Sequence, residues 1–238
     1  MSRFHYAISP DIFERFPGYV RGVVIAHGVR NGPTPPELSA LLREAEASVR
    51  ERLSAEAVAE APPIKCWREA YRAFGAKPAE HRSSIEAMAR RALRGDPLPA
   101  INALVDIGNI VSLRHLLPAG AHAIDTLRGD IALRLATGQE QFVPFGSDQA
   151  ESPLPGEVIF AEGDDTVLTR RWTWRQANHT LTELGTRAIV FNVDGLPPAT
   201  RAGVQAACAD VAALVQRFCG GTLRCGLLAP ESPQTALA

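Results

Sequence analysis

The two halves of the chain differ in hydrophobic periodicity, and this difference constrains the fold more than any other sequence feature. After one β-branched segment at residues 19–29, apolar residues in the first half recur at the three- to four-residue spacing of helices. From about residue 131 they alternate as in strands, until a helical pattern returns at residues 204–218. Strands and helices do not alternate regularly, which favours an α+β fold of mixed sheets packed with helices over a doubly wound parallel sheet.

Capping and turn residues indicate where the predicted helices begin and end. Thr34 and Glu37 have the spacing of a capping box, as do Ser83 and Glu86, so we expect helices to begin at Thr34 and Ser83. Gly75 is placed where a helix ends in a left-handed cap. The predicted strands are residues 19–29, 131–135, 142–145, 158–162, 166–175, 188–193 and 222–228, and the predicted helices after the Thr34 helix are 66–74, 83–94, 102–116 and 204–218.

Length and composition indicate one domain. A chain of 238 residues can bury a core without disulfides or metals. No linker separates two halves, so we expect a single domain over residues 1–230 and a disordered tail at 231–238. No signal peptide and no run of about 18 apolar residues occurs, which predicts a cytoplasmic protein with no membrane partner.

Charge and cysteine content exclude several partners. The formal net charge is −1, so no global field marks a DNA-binding protein. The four cysteines form no Cys-x-x-Cys pair, and we expect free thiols with neither a metal nor a cofactor.

Residues 65–94 form the most basic segment, with eight Lys or Arg against three Glu. Clustered cations are what phosphate contacts require, which makes this segment a candidate RNA surface. The alternative is an ordinary solvated helix face. The candidate RNA-binding residues are Arg82, Arg90, Arg91 and Arg94.

The common nucleophile, nucleotide-binding and metalloprotease motifs are missing, so attention falls on polar residues among apolar ones. Asp106 and Asn109 share one helix face with a structural or a pocket role. His122 follows that helix among small residues, and His179 lies in a polar segment with Asn178. Histidine exchanges protons near neutral pH, so both are candidate catalytic residues, although each is also consistent with a structural role. Asn102 completes the candidate binding residues.

Five motifs between residues 101 and 138 resemble the tRNA-binding editing domain in the β subunit of bacterial phenylalanyl-tRNA synthetase. They are INALVDIGN at 101–109, HAID at 122–125, Gly129, LRLA at 133–136 and Gly138. The corresponding family pattern is I-N-x-x-V-D-x-x-N, H-A-F-D and a strand with V-R-x-A followed by Gly. A looser resemblance in element order runs from about residue 16 to residue 195.

This resemblance implies a free-standing editing domain that removes a wrong amino acid from tRNA. The family histidine that helps to form the editing pocket falls on His122. The family's Gly-Gly-x-x-Ser-Glu-Val-Thr stretch corresponds to residues 175–182, where the Gly pair and the Glu are absent and Asn178 or His179 lies near the Glu position.

Two functions follow as expectations. The first is an aminoacyl-tRNA deacylase acting in trans on mischarged tRNA, since an activated ester needs positioning and oxyanion stabilisation but no metal or covalent nucleophile. The second is a non-catalytic tRNA- or RNA-binding or small-ligand-binding module that kept the fold and lost the chemistry. On the first reading, we expect His122 and His179 to face one pocket from two separate elements.

Overall fold

The computed structural model describes residues 4–238, which form two sheets and six helices. The helices are α1 (Pro10–Arg15), α2 (Pro36–Arg52), α3 (Pro62–Ala73), α4 (Ser84–Leu93), α5 (Ala103–His115) and α6 (Arg201–Phe218). The strands are β1 (His5–Ile8), β2 (Val20–His27), β3 (Ala119–Ala123), β4 (Ile131–Leu135), β5 (Val158–Glu162), β6 (Thr166–Arg170), β7 (Arg175–Gln176), β8 (Ala188–Gly195), β9 (Thr222–Leu228) and β10 (Gln234–Ala236). The predicted α+β class is confirmed.

The larger sheet has the strand order β10-β1-β4-β5-β6-β7 and is mixed, because β1 runs parallel to β4 whereas the other pairs are antiparallel. The prediction of a disordered tail at residues 231–238 is wrong for residues 234–236, because these form β10 and pair with β1, with Thr235 opposite Tyr6. The expected strand at residues 142–145 is also wrong. The segment makes two isolated bridges instead, from Phe142 to Glu151 and from Pro144 to Ala177.

The smaller sheet is antiparallel, with the order β3-β8-β2-β9. Helices α5 and α6 pack against one face of it, and the larger sheet faces the other. The helix approach is close at Gly22 of β2, where an added Cβ would lie 2.2 Å from Sγ of Cys208 on α6. Only glycine therefore fits at this point of the sheet.

One predicted helix start is wrong. Helix α2 begins at Pro36 without a side-chain cap, because the Thr34 hydroxyl instead donates a hydrogen bond to the carboxylate of Asp106. The Ser83 cap is confirmed, since its hydroxyl accepts from the backbone N–H of Glu86.

Trp172 is the centre of an aromatic cluster between the sheets. Its ring lies 4.7 to 5.1 Å from the rings of Phe16, Tyr19 and Trp67, each in an edge-to-face arrangement. Arg171 and Trp172 have φ values of 48° and 63°, so the backbone turns sharply after β6 instead of continuing the strand predicted to residue 175. Such values are strained for residues with side chains, and burial of the Trp172 indole offsets the cost.

Candidate functional site

A cavity of about 210 Å³ lies between the two sheets. One face of the smaller sheet forms the floor of the cavity and one of its walls. In this sheet, Gly120 of β3 is paired with Asn192 of β8, and Arg21 of β2 is paired with Asp194 of β8. Alternate residues of a strand point to the same face, so these side chains and that of His122 project together towards the larger sheet. Strand pairing thus brings together residues that are distant in sequence.

His122 lies in the cavity wall on β3, and not in a loop as the sequence suggested. Its ring is 5% exposed and meets the ring of Phe160 edge to face at 5.0 Å. Nδ1 lies 2.7 Å from Oγ1 of Thr180, and Nε2 lies 3.1 Å from Oγ1 of Thr169. Both ring nitrogens are therefore engaged by hydroxyl groups.

The side chain of Gln176 completes the hydrogen-bond network around His122. The side-chain amide of Gln176 donates to the carbonyls of Ala121 and Thr180, and its nitrogen also lies 3.4 Å from Nδ1 of His122. Both amide hydrogens of Gln176 are used by these two carbonyls, so the neutral imidazole donates through one ring nitrogen and accepts through the other, with the hydroxyls of Thr180 and Thr169 as its partners. In the tautomer that carries the hydrogen on Nε2, the Thr169 hydroxyl accepts from the ring and is free to donate its own proton into the cavity that it lines.

Burial holds His122 in the neutral form. Desolvation, together with the positive charge of Arg21, lowers the pKa of His122 to about 3. At neutral pH the imidazole is an uncharged hydrogen-bonding group that fixes the position of Thr169.

The floor of the cavity is a buried polar network around Arg21, which is 1% exposed. Its Nε donates to Asp194 at 2.7 Å, and its Nη1 donates to the Tyr6 hydroxyl at 2.6 Å. Tyr6 donates in turn to Oδ1 of Asn192, and Tyr19 donates to Asp194. Burial disfavours the charge, yet Asp194 keeps the pKa of Arg21 well above its ordinary value, so the floor contains a true ion pair.

An aromatic and basic rim borders this cavity. Trp174 and Arg175 line it, and the guanidinium groups of Arg171 and Arg175 lie 4.5 and 6.0 Å from the centre of the Trp174 indole ring. Ser84, the first residue of α4, lies on the same rim because its backbone N–H donates to the carbonyl of Thr173.

His179 does not line the cavity of His122. It borders two neighbouring depressions, and its Nε2 lies 2.6 Å from Oε2 of Glu162. The shared-pocket prediction is therefore wrong, because Thr180 turns towards His122 while the preceding His179 turns to Glu162. Asn178 holds the loop at residues 146–147 through its side-chain amide and lies beside His179.

The predicted residues of α5 lie outside the cavity. Asn102 caps the helix by accepting from the N–H of Val105 and donates to the carbonyl of Thr182. Asp106 accepts from Thr34 and from the N–H of Ile101, and burial raises the pKa of its carboxyl group. These contacts give Asn102 and Asp106 a structural role that requires no bound ligand. Asn109 is half-buried on the same helix and does not line the cavity of His122.

The candidate RNA-binding arginines surround a buried carboxylate. Glu86 of α4 is fully buried, and Arg90 and Arg68 contact its Oε1 at 2.9 and 2.7 Å, with Arg82 at 3.9 Å. Arg94 pairs with Asp96, and Arg91 donates to the carbonyl of Pro97. Arg82, Arg91 and Arg94 are exposed and Arg90 is half-buried, and of the exposed three Arg91 and Arg94 do not contact Glu86.

The floor residues Arg21, Asn192 and Asp194 were missed by sequence reasoning. Each is a polar residue inside a strongly apolar strand segment, YVRGVVIAHGV or AIVFNVDG. A polar residue embedded in such a run is the available signal, because burial there requires a polar partner.

Among residues 4–238, no group of three His, Cys, Asp or Glu side chains is arranged to hold a metal ion. Within the same residues, no helix is long and apolar enough to cross a membrane.

The fold and the cavity define an α+β protein whose two sheets enclose a polar, ligand-sized site. The sequence profile of the B3/4 domain matches residues 66–220, well over half of the chain, and the protein belongs to the B3/4 domain family. This family is that of the phenylalanyl-tRNA synthetase β subunit, so the relationship indicated by the motifs is confirmed at the family level.

No curated protein matches this chain, whereas several solved structures do. The chain is similar to an N-terminal fragment of the phenylalanyl-tRNA synthetase β subunit from Pyrococcus horikoshii, with 12% identity and a TM-score of 0.49. The similarity covers 94% of this chain and 51% of that fragment, so the chain spans about half of the fragment's length.

Proposed function

We propose that this B3/4 domain protein hydrolyses the ester between an amino acid and tRNA, acting in trans on a mischarged tRNA. The observation that carries the proposal is the position of His122, the histidine of the HAID motif, in the wall of the cavity beside the Thr169 hydroxyl. Binding of tRNA and the free-standing editing role are parts of the same proposal.

The cavity supplies the groups that ester hydrolysis requires. Water adds to the ester carbonyl carbon, the bond from that carbon to the ribose oxygen breaks, and the ribose oxygen takes a proton that the water loses. Negative charge develops on the carbonyl oxygen in between, and a preorganised donor stabilises it. With the imidazole hydrogen on Nε2, Thr169 is that donor, and His122 is a positioning residue because it holds Thr169 through Nε2. The neutral imidazole does not serve as an acid at pH 7.

The basic segment lies where the RNA would leave the cavity. Ser84 is on the rim, and α4 extends from there for ten residues, about 15 Å. The exposed Arg91 and Arg94 follow along this helix. Phosphates of a strand whose 3′ end enters the cavity would pass these cations, while Trp174 and Arg175 flank the entrance.

A second candidate function is a binding module without catalysis. The observation that favours it is the complete engagement of His122, whose pKa of about 3 and two occupied nitrogens leave no free base on the ring. On this account the same cavity binds the aminoacyl end and leaves the ester intact.

A deacylation panel decides between the two functions. Purified protein is incubated with a set of correctly and wrongly charged tRNAs, and ester loss is followed against the spontaneous rate. We expect accelerated loss from at least one wrong pair. Binding of charged tRNA with no acceleration for any pair would favour the binding module, and the absence of both would exclude both functions.

A further inference from the structure

The floor of the cavity contains two polar atoms that the fold leaves without a partner. Oδ1 of Asn192 accepts from Tyr6, and Oδ1 of Asp194 accepts from Arg21 and Tyr19. Among residues 4–238, Nδ2 of Asn192 and Oδ2 of Asp194 take part in no hydrogen bond, and neither is sealed from solvent. Both residues line the cavity, so it has one free donor and one free acceptor at its base.

The fixed geometry of this pair distinguishes it from mobile surface groups. Asn192 and Asp194 are two residues apart on β8 and so point to the same face of the sheet. Asn192 is 5% exposed and Asp194 is 3% exposed. A buried partner binds the Oδ1 atom of each residue, Tyr6 for Asn192 and Arg21 for Asp194. Arg21 acts as a positioning residue because it binds Asp194 and Tyr6 at once.

The charge of the floor selects a neutral group. Arg21 and Asp194 cancel one another, so a substrate ammonium would meet the guanidinium as well as the carboxylate, and a substrate carboxylate would meet Asp194. A hydroxyl or carboxamide instead donates to Oδ2 of Asp194 and accepts from Nδ2 of Asn192. An apolar group in the same place would leave both atoms desolvated and unpaired, which a buried site penalises strongly.

We infer that Asn192 and Asp194 are specificity-determining residues that recognise a hydroxyl or carboxamide at the end of the substrate's amino-acid side chain. The inference rests on the proposed binding of an aminoacyl end in this cavity. The volume of about 210 Å³ is adequate, since an apolar cavity of about 150 Å³ holds benzene.

The test uses stable aminoacyl-adenosine analogues in which an amide replaces the ester, so that binding is measured without hydrolysis. Three pairs differ only in the polar group: threonyl and valyl, asparaginyl and leucyl, tyrosyl and phenylalanyl. In calorimetric titration of the full chain we expect the polar member of at least one pair to bind ten-fold or more tightly than its apolar partner. Asn192→Leu, of similar size, should reduce that ratio to two-fold or less.

Other results would overturn the inference. These are equal binding within all three pairs, a preference for the apolar members, or no binding of any analogue. Loss of binding on removing the α-amino group, with equal binding within the pairs, would assign the floor to the ammonium and also overturn it. If Asn192→Leu does not fold, the wild-type ratios alone decide.

The experiments distinguish failure of the proposed function from failure of this inference. A polar preference in analogue binding with no ester hydrolysis would leave the inference intact and remove the hydrolase. Ester hydrolysis at equal rates for polar and apolar members of each pair would keep the hydrolase and overturn the inference.

Discussion

Arg21 and Asp194 face one another across the antiparallel strands β2 and β8, with Nε of the arginine 2.7 Å from Oδ1 of the aspartate and both side chains almost completely buried. Removing two charges from water is costly, and such a pair is tolerated only when other hydrogen bonds support it. Tyr6 and Tyr19 provide that support here. The pair fixes the floor of the cavity and ties β1, β2 and β8 together.

We predict that Arg21→Met lowers the free energy of unfolding by about 3–5 kcal/mol, because Asp194 is left as an uncompensated buried charge. The double variant Arg21→Met/Asp194→Leu should lose less than the single variant, since both charges are gone. Urea denaturation followed by circular dichroism measures both. Arg201→Ala, which breaks the exposed pair with Glu231, is the control and should leave the unfolding midpoint unchanged. A double variant less stable than the single one would contradict this account.

The pKa of His122 predicts a specific acid instability. Its native pKa is about 3 and its unfolded value is about 6.5, so the unfolded state binds the additional proton between these values. The stability from neutral His122 is fully present above pH 6.5 and is lost as pH falls towards 3, on the order of 5 kcal/mol in total. His122→Gln should therefore flatten the fall of unfolding free energy between pH 6.5 and 5, where carboxylates still contribute little.

The control for this pH effect is the exposed His5. His5→Gln should retain the wild-type dependence of stability on pH. An equal slope in wild type and His122→Gln would show that His122 already carries a proton in the native protein or remains solvated.

Secondary structure was largely predictable, because helical and alternating periodicity are local signals. The strands that were missed have weak local signals: β1 and β10 are four and three residues long, and β3 is the small-residue segment AGAHA. Each exists because a neighbouring strand supplies its hydrogen bonds. Sequence spacing alone does not contain that information.

The candidate site was predictable only in part. The motif resemblance pointed to His122, which does line the cavity. The floor depends on the register that places Arg21 opposite Asp194, a contact between residues 173 positions apart. The assignment of His179 failed because element order does not determine which of two adjacent residues turns inward.

We predict that exposed arginines of the α4 region contribute to the binding of tRNA. Replacing Arg91 and Arg94 by Ala should weaken binding of uncharged tRNA and reduce the slope of log affinity against log salt by up to roughly one unit per lost contact. Arg90→Ala should instead reduce stability, since it removes a partner of buried Glu86. Filter binding at several salt concentrations measures the slope, with Arg217→Ala on α6 as a control that changes neither affinity nor slope.

An unchanged affinity and salt slope in the Arg91/Arg94 double variant would place the RNA surface elsewhere. If Arg217→Ala weakened binding as much as the double variant, the effect would reflect general charge and not the α4 surface.

The most direct test of the central claim compares ester hydrolysis by wild type, Thr169→Val and His122→Ala on the mischarged tRNA that the wild type cleaves fastest. Thr169→Val removes the cavity hydroxyl with little change in volume, and His122→Ala removes the group that holds it. We predict that both lower kcat by about 10²-fold or more, with tRNA affinity and thermal unfolding of Thr169→Val close to wild type. Wild-type protein that accelerates no ester above its spontaneous rate, or variants with undiminished kcat, would contradict the account.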